Sequence, residues 1–449
     1  MGAARSYASV PAGSWSSPCP SGPPAFVFDI DGVLIRGKRV LPEALDALTT
    51  PDGRWRYPVV FMTNGGGVCE ARKAAQLTEW LRAPVTADQA SGGGRTAQGL
   101  DPRVVILSHT PMRDLVPELA DVPVLVSGRG DVLQVARSYG LRRALHTREL
   151  GAAMPAATPF TKYPPAAAEK ENARSQPGRT TTNTTVAAAA DTGAPASSSS
   201  SASTSSSSGA GGGEARGSPA SSANGADSSA PGPGPDPVRD LGLGTEYRDA
   251  QLIIDVLTGG GVPARSPAAA AVAGSPPVKL YFSNPDLLWA NEFPRPRFGQ
   301  GAFAHMVLSL HSRLTGGGRP HHVTFFGKPN PQPYRLAERL LLAQALRMGL
   351  PLPEAPTGAG PASGADSGPT ARGPPFSGIY AIGDNPAADV RGANAAGAPW
   401  VSVLVRTGVF QGPGPNCDVD AARIAVDDVA DAVGAALHHT RSHRWHSMR

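Results

Sequence analysis

Four short stretches of the chain carry side chains suited to chemistry on a phosphorylated anion. Asp29-Ile30-Asp31-Gly32 sets two carboxylates at i and i+2 around a turn, so that both reach one small site. One of them can serve as nucleophile or metal ligand and the other as proton donor. Thr63-Asn64-Gly65-Gly66-Gly67 places a hydroxyl and an amide beside glycines whose backbone N–H groups can face an anion. Lys328, in Phe326-Gly327-Lys328-Pro329, stands directly after an apolar run, where it would neutralise negative charge. Gly383-Asp384-Asn385-Pro386-Ala387-Ala388-Asp389 brings two acids at i and i+5, oxygen ligands of the kind a hard divalent cation takes.

Each stretch has a plain structural explanation when taken alone. The D-x-D-G string suits a capped turn, Lys328 suits a solvated lysine, and the glycines after Asn64 lack the spacing of a P-loop or a dinucleotide fingerprint. Together they match a site for phosphoryl transfer, which relies on positioning and charge neutralisation. In that reading Mg2+ lies between Asp29, the Asp31 carbonyl and Asp384, while Thr63 and Lys328 bind the non-bridging oxygens.

The elements that must position these residues are legible as apolar runs. Residues 25–28, 59–62, 323–326 and 378–382 each read as a strand buried on both faces, and each ends at one of the four polar stretches. Further strands are predicted at 104–107, 122–126 and 278–282, with helical patterns over 41–48, 70–81, 131–139, 247–257 and 301–313. The alternation predicts an α/β fold with a Rossmann-like parallel sheet, whose strand carboxyl ends form the usual ligand crevice.

Composition divides the rest. Glycine (53) and proline (46) are concentrated in two stretches. Residues 155–237 and 352–375 hold few large apolar side chains and are expected to be disordered insertions. The first two dozen residues are Ser-, Ala- and Pro-rich with Arg5 as their one charge, a flexible start that could be an organellar presequence cleaved near Arg5-Ser6-Tyr7-Ala8. Met1-Gly2-Ala3-Ala4-Arg5-Ser6 also fits the acylation pattern at Gly2. Three scattered cysteines form no C-x-x-C pair, against a disulfide framework or thiolate zinc site. A net charge of +5 without a focused basic face argues against nucleic acid as a partner. No apolar run reaches the ~18–20 residues that span a bilayer. The paired histidines His321-His322 and His438-His439 are read as surface residues, and 438–449 as a basic, frayed tail.

The four motifs resemble those of the haloacid dehalogenase-like (HAD) hydrolase superfamily in its class IIA branch. Ser283-Asn284-Pro285-Asp286-Leu287-Leu288-Trp289, Arg297-Phe298-Gly299-Gln300-Gly301, Ser108-His109-Thr110-Pro111-Met112 and Val126-Ser127-Gly128 are similar to the cat-eye-syndrome critical-region family of such hydrolases. The similarity covers about 25–150 and 240–435. The resemblance implies a HAD core at 25–150 and 321–437, a cap domain inserted at 151–320, and a small phosphorylated substrate. It implies Asp29 as nucleophile, Asp31 as acid and base, Thr63, Asn64, Gly65 and Lys328 around the phosphate, and Asn284 and Asp286 facing the substrate or bracing the cap. Mg2+ would involve Asp29, Asp31 and Asp384, with Asp389 orienting Lys328 or a metal-bound water. It further implies a mitochondrial address, with cytoplasm or plastid as alternatives, and pairing of two copies through the cap. Two other roles stay open on the same residues: a binding or regulatory protein without turnover, and a part in glycerophospholipid biosynthesis. A direct CDP-alcohol transferase is disfavoured, because the chain lacks D-G-x-x-A-R and a multi-span segment.

Overall fold

The computed structural model describes residues 22–48, 55–81, 99–159, 161, 184–188, 243–352 and 375–447; the expected insertions and the first residues lie largely outside them. The strands, in chain order, are β1 (Pro24–Phe28), β2 (Ile35–Arg36), β3 (Arg39–Val40), β4 (Val59–Met62) and β5 (Val105–Ile106), then β6 (Val124–Gly128), β7 (Ala144–His146) and β8 (Thr184–Ala188). They continue with β9 (Lys279–Phe282), β10 (Leu288–Trp289), β11 (Arg297–Phe298), β12 (His322–Phe325), β13 (Gly378–Gly383), β14 (Trp400–Val405) and β15 (Ile424–Val426).

The apolar runs at 25–28, 59–62 and 378–382 become neighbours. A six-stranded parallel sheet runs β15-β14-β13-β1-β4-β5. Because side chains alternate across a strand, Phe26 and Phe28 face one side of it and Ala25 and Val27 the other. The first side packs on helices Pro42–Leu48, Glu70–Leu81 and Val429–Ser447, the second on helices Pro331–Arg347 and Arg391–Ala396. Burial on both faces explains why the central strands are apolar without alternation. The run Trp400–Val405, rich in valine, the edge strand β15 and helix Pro331–Arg347 complete this layer and were not anticipated.

A second sheet runs β12-β9-β8-β6-β7. Its two faces are covered by helix Val132–Tyr139 with Met112 and Leu119, and by helices Leu243–Thr258 and Gln300–Leu314. Two findings here depart from the sequence reading. The strands at 124–128, 144–146 and 322–325 hydrogen-bond within this second sheet, whereas the expected division put residues up to 150 and from 321 in the core. An apolar run specifies burial but not which sheet it joins. In addition, Thr184–Ala188, inside the segment expected to be disordered, pairs antiparallel with both β6 and β9. Its Thr-Thr-Val start has high strand propensity, and it fills the gap between two strands that run in the same direction.

The final helix, Val429–Ser447, extends through most of the expected frayed tail. Ala432, Ala436 and Thr440 line its buried face, and the Tyr380 hydroxyl meets Thr440 Oγ1 at 2.7 Å and His439 Nδ1 at 3.0 Å. His439 is therefore a packed residue, while His321 and His322 are exposed as expected.

Helix Pro331–Arg347 fixes the start of β4 through a hydrogen bond from Val59 N–H to Gln344 Oε1 (2.6 Å), and its Leu341 is fully buried. Leu341→Ala should leave a cavity that costs about 2–5 kcal/mol, read as a lowered denaturation midpoint of the purified chain; an unchanged midpoint would show the helix to be loosely docked.

Candidate active site

The register of the parallel sheet decides which residues meet. Phe28 is level with Ile382 on one side and Phe61 on the other. The residues that follow therefore emerge together at the carboxyl edge: Asp29 from β1, Asp384 beyond Gly383 of β13, and Thr63 beyond Met62 of β4. A hydrogen bond from Asp29 N–H to the Ile382 carbonyl (2.9 Å) continues the pairing one residue past the strand.

Lys328 reaches the same place from the other sheet. After β12 the chain turns through Gly327, at φ +70°, where a Cβ would lie 2.6 Å from Asn64 Oδ1. The Lys328 N–H donates to Asn64 Oδ1 (2.8 Å), and Asn64 Nδ2 donates back to the Lys328 carbonyl (2.9 Å). Lys328 Nζ then lies 2.8 Å from Asp29 Oδ1 and 2.6 Å from Asp389 Oδ1. Asp389 accepts from Asn385 N–H through its other oxygen (3.1 Å). Asp384 Oδ2 accepts from Val409 N–H (2.6 Å), and Gly408 admits it, since a Cβ there would stand 1.8 Å from that oxygen. Thr63 Oγ1 accepts from Gly65 N–H (2.9 Å) and donates weakly to Asp31 Oδ2 at 3.4 Å.

Carboxylate oxygens of Asp29, Asp384 and Asp389 all lie within 4.8 Å of one another, and all three residues are buried. The Asp31 side chain is not part of this trio and points toward Thr63. Burial pushes the Asp29 carboxyl up to about 7 against the pull of Lys328, with Asp389 and Asp31 adding to the rise. Burial, then Asp29 and Asp389, raises Asp384 well above the carboxylate range. Burial also disfavours the Lys328 ammonium, but Asp29 and Asp389 outweigh it and hold Lys328 charged. An oxygen-only cluster whose charges repel in a dry site fits a hard divalent cation.

The second sheet supplies the opposite wall. Asn284, just past β9, donates from Nδ2 to the Asn64 carbonyl (2.8 Å) and is nearly inaccessible, so it braces the two sheets against each other. Asp286, Leu288, Trp289 and Gln300 line the same cavity, of about 40 Å³, with Asp29, Thr63, Asn64, Gly65 and Lys328. Burial pushes Asp286 up to about 7, opposed by hydrogen bonding to Asn64 and by Lys328. Asp29, Asp31, Thr63, Asn64, Gly65, Asn284, Asp286, Lys328, Asp384 and Asp389 thus border one cavity.

Sequence reasoning missed Lys73, 2% exposed on helix Glu70–Leu81, whose charge acts on Asp31 and Asp29. It also missed a buried network at the crossing between the sheets. Glu70 Oε1 accepts from Tyr139 Oη (2.5 Å) and Thr110 Oγ1 (2.8 Å), Glu70 Oε2 pairs with Arg113 (3.0 Å), and His109 Nδ1 lies 2.7 Å from Tyr139 Oη. Burial keeps His109 neutral, lowering it to about 4.

A parallel α/β sheet with a second sheet set over its carboxyl edge holds this cluster, and comparison with known proteins places the chain in a family. Residues 26–142 match the family described as haloacid dehalogenase-like hydrolase, and residues 325–436 a second described as HAD-hydrolase-like. Together these matches span just over half of the chain and include Asp29, Thr63, Lys328 and Asp384. The chain belongs to the haloacid dehalogenase-like hydrolases, with its second sheet inserted between Thr63 and Lys328, the place expected in class IIA. A cardiolipin synthase (CMP-forming)/mitochondrial hydrolase fusion protein of Schizosaccharomyces pombe is 29% identical over 413 residues, 92% of this chain. The chain spans about half (53%) of that protein's length. A mitochondrial hydrolase of Saccharomyces cerevisiae is 28% identical over 423 residues, 92% of this chain and 95% of the relative. Among solved structures, p-nitrophenyl phosphatase from Archaeoglobus fulgidus aligns over 93% of this chain and 100% of its own at 14% identity and a TM-score of 0.40. No helix among the described residues is long and apolar enough to cross a membrane.

The raised carboxyls give a pH dependence of definite sign. Asp29, ordinarily near 3.8, holds its proton to about 7 when folded, so the folded chain binds more protons than the unfolded one between those values. In EDTA, stability should therefore fall as pH rises from about 4 to about 7, and Mg2+ should reverse the loss at pH 7. Denaturant midpoints across that range, with and without Mg2+, check this; a midpoint that rises with pH in EDTA would contradict it.

Proposed function

We propose that the chain is a magnesium-dependent phosphatase that hydrolyses a small phosphorylated metabolite through an aspartyl-phosphate. The observation that carries this reading is the convergence of Asp29, Lys328, Asp384 and Asp389 at the carboxyl edge of β1 and β13, with Thr63 and Asp31 alongside.

In the first half-reaction an Asp29 oxygen attacks phosphorus as the bond to the leaving oxygen breaks, and Asp31 gives that oxygen its proton. Burial raises Asp31, opposed by Lys73 and Lys328, which favours a carboxyl able to carry the proton in a closed site. In the second half-reaction Asp31 takes a proton from water, the water oxygen attacks phosphorus, and the Asp29 carboxylate and phosphate are released. Lys328 binds a non-bridging oxygen, kept in place by Asp389, while Thr63 Oγ1 and the N–H groups after Asn64 bind the others. Asp29, the Asp31 carbonyl and Asp384 would hold magnesium, which would supply charge neutralisation for the phosphate oxygens. Asn284 and Asp286 face the leaving group or brace the cap.

The names of the two fungal relatives support a mitochondrial address, and the fusion with a cardiolipin synthase supports a substrate connected with phospholipid synthesis. A protein that binds phosphate without turnover remains the competing reading, and one assay separates the two. Phosphate release from p-nitrophenyl phosphate with Mg2+ should be abolished by EDTA and reduced at least about 10³-fold by Asp29→Asn. Equal rates for the wild-type and Asp29→Asn chains would overturn the assignment.

A further inference from the structure

We infer that the site selects phosphomonoesters whose leaving group carries a hydrogen-bond donor, a hydroxyl or an ammonium, and no second anionic group. The inference rests on the phosphatase reading and deepens it by naming the substrate class.

The argument is one of charge and space. Among the residues lining the cavity, the carboxylates are Asp29, Asp31, Asp286, Asp384 and Asp389, while Lys328 is the single cationic side chain; no arginine or histidine contributes. Lys328 pairs with Asp29 and Asp389, and a divalent cation would take Asp29 and Asp384. Asp31 carries the transferable proton. Asp286 belongs to the wall opposite the sheet edge, where a leaving group must lie; Asn64 hydrogen-bonds to it, and Lys328, the one cationic residue of the lining, acts on it. One lysine and one divalent cation against five acids and the phosphate leave no positive charge on the lining for a second anion. The first turn of helix Gln300–Leu314 opens on the same wall but brings no full positive charge. Its Gly301 N–H donates to the Asp286 carbonyl (2.7 Å), and Gln300 Oε1 accepts from Asn284 N–H (3.0 Å). Leu288, Trp289 and Ala290 make the rest of that wall apolar, against the carbon skeleton of a leaving group. A donor on that skeleton would satisfy the Asp286 carboxylate, whereas a carboxylate or second phosphate would meet it as a like charge in a poorly screened site.

Glycerol 3-phosphate and 3-phosphoglycerate test this, because they differ chiefly in a hydroxymethyl group against a carboxylate. Each is titrated as a competitor of p-nitrophenyl phosphate hydrolysis by the full chain with Mg2+. Glycerol 3-phosphate should compete at concentrations about tenfold lower or better, the order expected for a like-charge contact. Asp286→Asn should narrow the gap mainly by improving 3-phosphoglycerate, and a circular dichroism spectrum like wild type shows that the variant folds. If 3-phosphoglycerate competes as well or better, if neither competes, or if Asp286→Asn leaves the ratio unchanged, the inference is overturned. If p-nitrophenyl phosphate itself is not hydrolysed, the phosphatase reading fails, and the inference falls with it.

Discussion

Asp29, Asp384 and Asp389 repel one another in a pocket that water cannot screen, and the surrounding structure is arranged to hold them there. Buried carboxylates at such separations are tolerated only with a cation between them or protons upon them. The cation present in the chain, Lys328, bonds to two of the three. It comes not from the sheet that carries the carboxylates but from the segment after β12 of the second sheet. The two sheets therefore share one electrostatic unit, and the cap cannot be regarded as an accessory to a self-sufficient core. Asn64 makes this coupling rigid: its side chain takes both backbone groups of Lys328, and its carbonyl takes Asn284.

The central strands were legible because they are buried on both faces and so read as unbroken apolar runs. The polar residues at their ends were legible because a strand that stops at Asp-x-Asp or Thr-Asn has no packing reason to do so. Sheet membership was not legible. Val323 to Phe326 and Val124 to Val126 are as apolar as β1, but pairing is decided by partners far away in sequence, and nothing in the run names them. Thr184–Ala188 illustrates the same limit from the other side, since a short β-branched segment inside low-complexity sequence becomes a strand only because β6 and β9 leave a place for it. Lys73 was hidden for another reason. Lysines on amphipathic helices are usually solvated, and only the three-dimensional position of helix Glu70–Leu81 shows that this one faces Asp31.

Two glycines beside Asp384, one of them in the Asp29–Gly32 motif, have a physical explanation that spacing alone did not provide. Gly408 and Gly32 crowd Asp384 so closely that a Cβ at either position would stand 1.8 or 2.3 Å from its Oδ2. That carboxylate is thus walled in by backbone, which fixes its direction and leaves its oxygens little freedom to turn away from Asp29.

The contacts between the two sheets differ in how easily they can be given up. Those at the crossings are buried and polar: Glu70 with Tyr139, Thr110 and Arg113 on one side, and Asn64 with Asn284 and Lys328 on the other. Breaking either set would strand unpaired groups in the interior, which is costly. At the β2–β3 hairpin the contacts are more accessible. There Arg36 Nε donates to the Asn291 carbonyl (3.0 Å) and Lys38 N–H to Glu292 Oε1 (2.9 Å), joining the β2–β3 hairpin to the loop after β10. Local opening follows the least protected hydrogen bonds. The hairpin contacts are therefore the ones that can be given up first, with both crossings intact and Lys328 still beside Asp29.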